Sequence, residues 1–216
     1  MLTKENSIKN RKNEAKKVDY CLKPPFPKEF LIDITSVCNH SCTFCSNRKM
    51  LNKKNADSSL VYKILKEAKK EGSTSVGLYA TGEPFLNKEI ENYIKFSKEN
   101  GYEYVYITTN GAACTPKRME IAINNGLDSI KFSIHGGTSK TYKKIHGKDD
   151  FERVIKNLKW VYDYKIKNKI KLKIYVTMVE TYENKSETEK LKNIVLPYID
   201  GWDPHLMNNS CGTMPE

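Results

Sequence analysis

Apolar positions along this chain switch repeatedly between a period of two and a period near 3.6. Period-two runs read as strands: Phe30 to Thr35 with Ile32 and Ile34 inward, Ser75 to Ala80, Tyr102 to Thr108, and Ser129 to Ile134. A fifth alternates through Ile170, Leu172, Ile174, Val176 and Met178. Between them lie helical stripes. The first is Leu60, Val61, Ile64, Leu65 and Ala68, capped by Asp57 and Ser58 and stopped by Gly72. The second starts at Asn87, carries Ile90, Tyr93, Ile94 and Ser97, and stops at Gly101. The third is capped by Thr115, has Pro116 at its first position, and ends at Gly126. The fourth is the clearest: Phe151, Val154, Ile155, Leu158, Val161 and Tyr162. A fifth carries Leu191, Ile194 and Val195. A last strand covers Ile199 to Leu206, and Pro204 assigns it to a sheet edge.

Six strand–helix starts between 28 and 216 leave about 31 residues for each, the length of one βα step. Successive βα units force a parallel sheet with right-handed crossovers. Eight would close a barrel, so six predict a curved, partial (βα)6 barrel of the α/β class with one open side. Residues 1–27 read separately, as a basic tail with Lys4, Lys9, Arg11, Lys12, Lys16 and Lys17 solvated. Pro24, Pro25 and Pro27 stiffen the approach to the first strand. The remainder, 28–216, is expected to be one core domain.

Composition narrows the setting. The net charge of +11 would suit a nucleic-acid partner, but the lysines are dispersed over helix faces and no RNA-binding motif accompanies them. A solvated surface is the favoured reading. The start of the chain lacks the apolar core of a secretory signal, and no run reaches membrane-span length. Of six cysteines three cluster, and Cys21, Cys114 and Cys211 are scattered, which is no disulfide framework. A reducing cytoplasm is expected.

The clustered cysteines carry the chemistry: Cys38-Asn39-His40-Ser41-Cys42-Thr43-Phe44-Cys45, just past the first strand. Iron–sulfur clusters are held by thiolates, and three of them on a four-iron cube leave one iron open for reaction. The alternatives are three unrelated thiols or a zinc site with His40 as fourth ligand, all from eight residues. The loop, with Phe44 directly before the last cysteine, resembles the signature of radical S-adenosylmethionine (SAM) enzymes.

Weaker motifs in the same order strengthen the resemblance. Thr81-Gly82-Glu83-Pro84 follows the second strand. It is similar to that family's Gly-Gly-Glu-Pro loop, with Thr81 for the first glycine. The resemblance implies that Gly82, Glu83 and Pro84 lie along the methionine part of SAM, where Glu83 suits a cation. Thr108-Thr109-Asn110-Gly111 is an ordinary turn by itself, but resembles a Thr-Asn-Gly that lines the family's pocket through Asn110. Phe132-Ser133-Ile134-His135-Gly136 resembles the family's Ser-hydrophobic-Asp-Gly segment, so Ser133 is expected on the ribose or carboxylate. His135 stands where Asp is usual, and its role is open. Thr141 to Gly147 resembles a Tyr-x-x-Ile-Arg-Gly turn, with His146 in place of Arg, and reads as structure leading into a helix. Phe44 is the candidate for stacking on adenine. Thr177, Met178 and Val179 would form an apolar floor beneath it. Trp202, His205, Asn208 and Asn209 sit near the rim of the last strand, where packing explains them as well as substrate contact does.

The resemblance implies a TIM-like partial barrel, a [4Fe-4S] cluster on Cys38, Cys42 and Cys45, and SAM on the open iron. One-electron reduction would split SAM into methionine and a 5′-deoxyadenosyl radical, which takes a hydrogen atom from substrate. A flavodoxin- or ferredoxin-type donor is implied as partner. Peptide- and protein-modifying members are the nearest in character, with RNA modification as runner-up and a non-catalytic metal-binding scaffold as a third reading. Members of that peptide-modifying group carry a C-terminal auxiliary-cluster domain. Here Cys211 is followed by five residues, so such a domain is expected to be lacking or cut away.

Overall fold

The computed structural model describes residues 25–207. Residues 1–24 of the basic tail, with Cys21, and Asn208, Asn209 and Cys211 therefore lie outside the described residues. Among these residues six strands form one sheet in sequence order: β1 (Glu29–Leu31), β2 (Ser75–Gly77), β3 (Tyr104–Thr109), β4 (Ser129–Ser133), β5 (Lys173–Glu180) and β6 (Gly201–Leu206). Every neighbouring pair is parallel. The helices are α1 (Ser58–Lys70), α2 (Ile90–Glu99), α3 (Pro116–Asn124), α4 (Ser139–His146), α5 (Phe151–Lys167) and α6 (Thr188–Val195). The sheet curls into the expected half-barrel, with β1 and β6 as its edges and Pro204 on β6.

The pleat sorts each strand into two faces. Val105, Ile107, Ile130, Phe132, Ile174, Val176 and Met178 face the helices and join one apolar core with Val61, Leu65, Tyr93, Met119, Val154, Leu158 and Val195. The alternate residues, Thr108, Lys131, Ser133, Thr177, Val179 and His205, line the concave side. A parallel sheet between helices usually reads as unbroken apolar runs. Here the alternation survives because the inner face borders a cavity.

Local signals explain the helix ends. The Asp57 carboxylate accepts from Leu60 N–H at 3.1 Å, and Thr115 caps α3. Gly72, Gly101 and Gly126 each stand two residues past their helix.

Several expectations need correction, among them strand 2, which ends at Gly77 rather than Ala80. Strand 1 was expected to reach Thr35, yet parallel pairing ends at Leu31, with Ile32 N–H still donating to Gly77 O. Beyond it the Ile34 carbonyl is taken by Ala56 N–H and by the Asn87 amide at 2.8 Å, and Thr35 bridges antiparallel to Asn55. The second helix begins at Ile90 rather than Asn87, because Pro84–Leu86 form a separate 3-10 turn and Asn87 is spent on Ile34. The segment expected to lead into a helix is itself one: Thr138 caps α4, and Gly147 ends it at φ +74°, a conformation L side chains resist. Leu60 is 51% exposed rather than part of its helix's buried face, which Val61, Leu65 and Ala68 supply from the next position round.

One ion pair braces the loop after β2. The Arg118 guanidinium on α3 grips Glu91 through Nε at 2.6 Å and Nη2 at 2.8 Å, and bonds the carbonyls of Asn87 and Phe85. Glu91 is buried, so losing its partner strands a charge. Arg118→Met is expected to cost about 2 kcal/mol, below the fully buried range because Arg118 is partly solvated. Urea unfolding should show a lower midpoint with an unchanged slope.

Candidate active site

A cavity of about 420 Å³ opens at the C-terminal ends of the strands, where parallel βα folds place their reactive loops. Its walls include Cys38, Cys42, Cys45, Phe44, Gly82, Glu83, Asn110 and Ser133. Eight of the nine residues singled out from sequence thus meet around one space. The ninth, Pro84, does not. It is buried behind Glu83 as the first residue of the 3-10 turn.

The cysteine loop is pinned from two sides. Ser41 and Thr43 N–H donate to the carbonyls of His146 and Ile145 at 3.0 and 2.9 Å, using groups that the end of α4 leaves unpaired. On the other side Glu83 N–H donates to Val37 O at 2.9 Å. Gly82 is required there: a Cβ would lie 2.1 Å from the Thr35 carbonyl oxygen and 2.7 Å from that of Val37. Thr81, the departure from the double-glycine pattern, is exposed and hydrogen-bonds Asp33 through both its amide and its hydroxyl.

Glu83 links three loops. Its carboxylate accepts from Phe85 N–H at 3.1 Å, Thr109 hydroxyl at 2.7 Å and Asn110 N–H at 2.7 Å. Of roughly four acceptor positions on a carboxylate, three are filled. Burial nevertheless pushes its pKa up to about 6, outweighing those bonds. The Asn110 amide reaches Asn39 Oδ1 at 2.8 Å and lies 3.9 Å from Cys38 Sγ.

Burial also raises the Cys38 thiol, and raises that of Cys42 to about 12, with the neighbouring Cys45 and Cys38 charges adding to it. Three thiolates so placed need a cationic centre, since bound metal deprotonates its thiols outright. No three His, Cys, Asp or Glu among the described residues converge on a single ion. A cube is different, because each thiolate takes its own iron. His40 cannot serve as a zinc ligand as it stands: Nδ1 faces His146 Nδ1 at 3.2 Å, and Nε2 faces Asp150 at 3.0 Å. The donor set therefore fits a cluster. The cavity also fits a polar cofactor, since the Thr108 hydroxyl on its wall is buried with no partner among the described residues.

Phe44 sits edge-on to His135, with centroids 4.9 Å apart. His135 is buried and accepts from Val179 N–H at Nδ1, and burial drops its pKa to about 3. Thr177 and Val179 line the cavity, but Met178 points into the core, because neighbouring strand residues face opposite ways. His205 lines the wall and bonds Asp203, while Trp202 packs against the core. Cys114 is buried beside Thr109, and burial pushes its thiol up. Sequence reasoning missed Lys131, whose ammonium reaches Asp203 at 3.2 Å inside the barrel, and the link from His146 through His40 to Asp150. The one available signal for Lys131 was a lysine on an otherwise apolar strand.

The model of the Radical SAM superfamily matches residues 32–193, and the chain belongs to that superfamily. A [4Fe-4S] cluster and SAM are its cofactors. The chain is 34% identical over 141 residues to a protein of Saccharolobus solfataricus named "Probable GTP 3',8-cyclase", covering 63% of this chain and 44% of that one. It is 32% identical over 129 residues to an uncharacterized protein of Methanocaldococcus jannaschii, covering 59% and 41%. It thus spans less than half the length of these curated relatives. Among solved structures it resembles Streptococcus suis SuiB bound to SAM, with TM-score 0.75, 22% identity, 95% of this chain and 47% of that one. SuiB bound to its precursor peptide SuiA gives 0.73 and 22%, over 94% and 44%. Methylornithine synthase gives 0.65 and 13%, over 83% and 53%. At those identities the likeness is one of fold. Among the described residues no helix is long and apolar enough to cross a membrane.

The raised Glu83 pKa has a measurable consequence. The folded chain holds that proton more tightly than the unfolded chain, whose value is 4.5. Stability is therefore full below pH 4.5, falls by about 2 kcal/mol as pH climbs to 6, and is level above. Glu83→Gln should remove this slope from urea midpoints measured between pH 4 and 7, and lower stability throughout, because its single amide oxygen leaves either the Asn110 N–H or the Phe85 N–H without an acceptor.

Proposed function

We propose that this chain is the core of a radical SAM enzyme in which Cys38, Cys42 and Cys45 hold the cluster. The convergence of three half-buried thiols with Gly82, Glu83, Asn110 and Ser133 on one cavity carries the reading. Held there, a reduced cluster with SAM would supply radical hydrogen-atom abstraction from substrate.

The chain's own residues bind, orient and exclude water. The Glu83–Asn110 bond fixes two loops at one height, so the cofactor meets a preformed wall. The remaining acceptor position on Glu83 and the carbonyls of its loop suit an ammonium group. Thr108 and Ser133 offer hydroxyls at the strand ends. The Phe44 ring has an exposed part in the cavity and suits a purine face. Reduction requires an external one-electron donor of flavodoxin or ferredoxin type.

A peptide or protein is the favoured substrate, supported by the motif resemblance. A nucleotide is the second reading, favoured by the name of the curated relatives.

Anaerobic protein reconstituted with iron and sulfide should be brown with about four irons per chain, and alanine at Cys38, Cys42 or Cys45 should abolish the colour. Dithionite and SAM should then release 5′-deoxyadenosine. Colourless protein holding zinc would reject the reading, and a brown but inert protein would leave only the scaffold. Cyclised product from added GTP would replace the peptide reading with the nucleotide one.

A further inference from the structure

His40 of the cysteine loop, His135 and His146 are buried as one connected group. The His146 ring packs parallel to Tyr142, with centroids 3.8 Å apart, and to His135 at 4.8 Å. Its hydrogen bonds assign its tautomer. His146 Nε2 accepts from the backbone N–H of His135 at 3.2 Å, so the neutral ring carries its hydrogen on Nδ1. That Nδ1 lies 3.2 Å from His40 Nδ1 and 3.6 Å from Cys42 Sγ.

His40 is assigned the same way. Its Nε2 is 3.0 Å from the Asp150 carboxylate, an acceptor, so His40 bears its hydrogen there and turns a bare Nδ1 toward His146. Asp150 also meets Arg153 at 3.3 Å, which holds the carboxylate in place. One N–H on His146 therefore faces two acceptors: a ring nitrogen and the sulfur of a cysteine in the metal-binding loop. The helix end that supplies His146 also pins that loop, so the donor and the sulfur share one scaffold.

We propose that His146 is a positioning residue that donates Nδ1–H to the Cys42 sulfur and raises the reduction potential of the cluster, while His40, oriented by Asp150, competes for the same hydrogen and limits that effect. This rests on the cluster reading above. An N–H donated to a thiolate ligand draws charge from it and favours the more negative, reduced cluster. The step is the uptake of one electron by the cluster from dithionite, and no proton leaves His146.

The test is an EPR-monitored potentiometric titration of reconstituted protein, with dithionite and mediators. His146→Leu should lower the ratio of reduced to oxidised cluster about tenfold at the wild-type midpoint, a shift of about 59 mV to lower potential for a one-electron couple. His40→Leu removes the competitor and should move the midpoint the opposite way. His146→Gln, which keeps an amide N–H, should recover part of the loss. Midpoints equal to wild type in both leucine variants, or shifts of the same sign in both, would overturn the proposal. If His146→Leu does not fold, His40→Leu decides alone: a rise supports the competition, and no change or a fall refutes it. A wild-type protein that assembles no reducible cluster defeats the cluster reading itself, and this inference with it.

Discussion

Two backbone hydrogen bonds, from Ser41 and Thr43 to the carbonyls that end α4, hold the cysteine loop in its conformation. A helix end leaves its last carbonyls without intrahelical partners, and a short loop lacks partners for its amides. Each solves the other's deficit. The bond from Ser41 to His146 joins residues 105 positions apart. The shape of the loop therefore depends on the placement of α4 against the sheet. Without them, three thiols would be attached to a strand end with nothing to aim them.

Opposite this anchor stands Glu83. Its buried carboxylate collects donors from its own turn and from the end of β3, and the Asn110 amide extends the link to Asn39 in the cysteine loop. The arrangement is costly, since burial favours the neutral acid. In return, three loops share one height around the cavity. Low dielectric raises the cost of charge at Cys42 as it does at Glu83, so the pocket is poised for a ligand that brings positive charge. A cationic metal cluster and a sulfonium cofactor both meet that demand.

The fold class was readable because strands and helices differ in period, and because six repeats of a βα length admit few topologies. Helix ends were readable where a capping residue or glycine acts locally, as at Asp57, Thr115 and Gly126. The cysteine loop was readable because its three ligands lie within eight residues. Strand 1 was overestimated for a physical reason: Ile32 and Ile34 are both buried, but the Ile34 carbonyl is taken by Ala56 and Asn87 rather than by a neighbouring strand. α4 escaped because its buried face, Tyr142, Ile145 and His146, is short and lysines surround it.

Local chemistry written into the residue order thus settled the element types, the parallel topology and the three thiols. Assembly settled the direction of each side chain. Glu83 reads as a partner for a cation along the chain and is also an internal brace in the fold. Met178 reads as pocket floor and is core. His40 reads as a possible ligand, and both its nitrogens are engaged, with His146 and Asp150. The reason is common to all three. Hydrogen-bond partners and strand faces are set by segments tens to more than a hundred residues away, and no short-range pattern encodes which of them will meet.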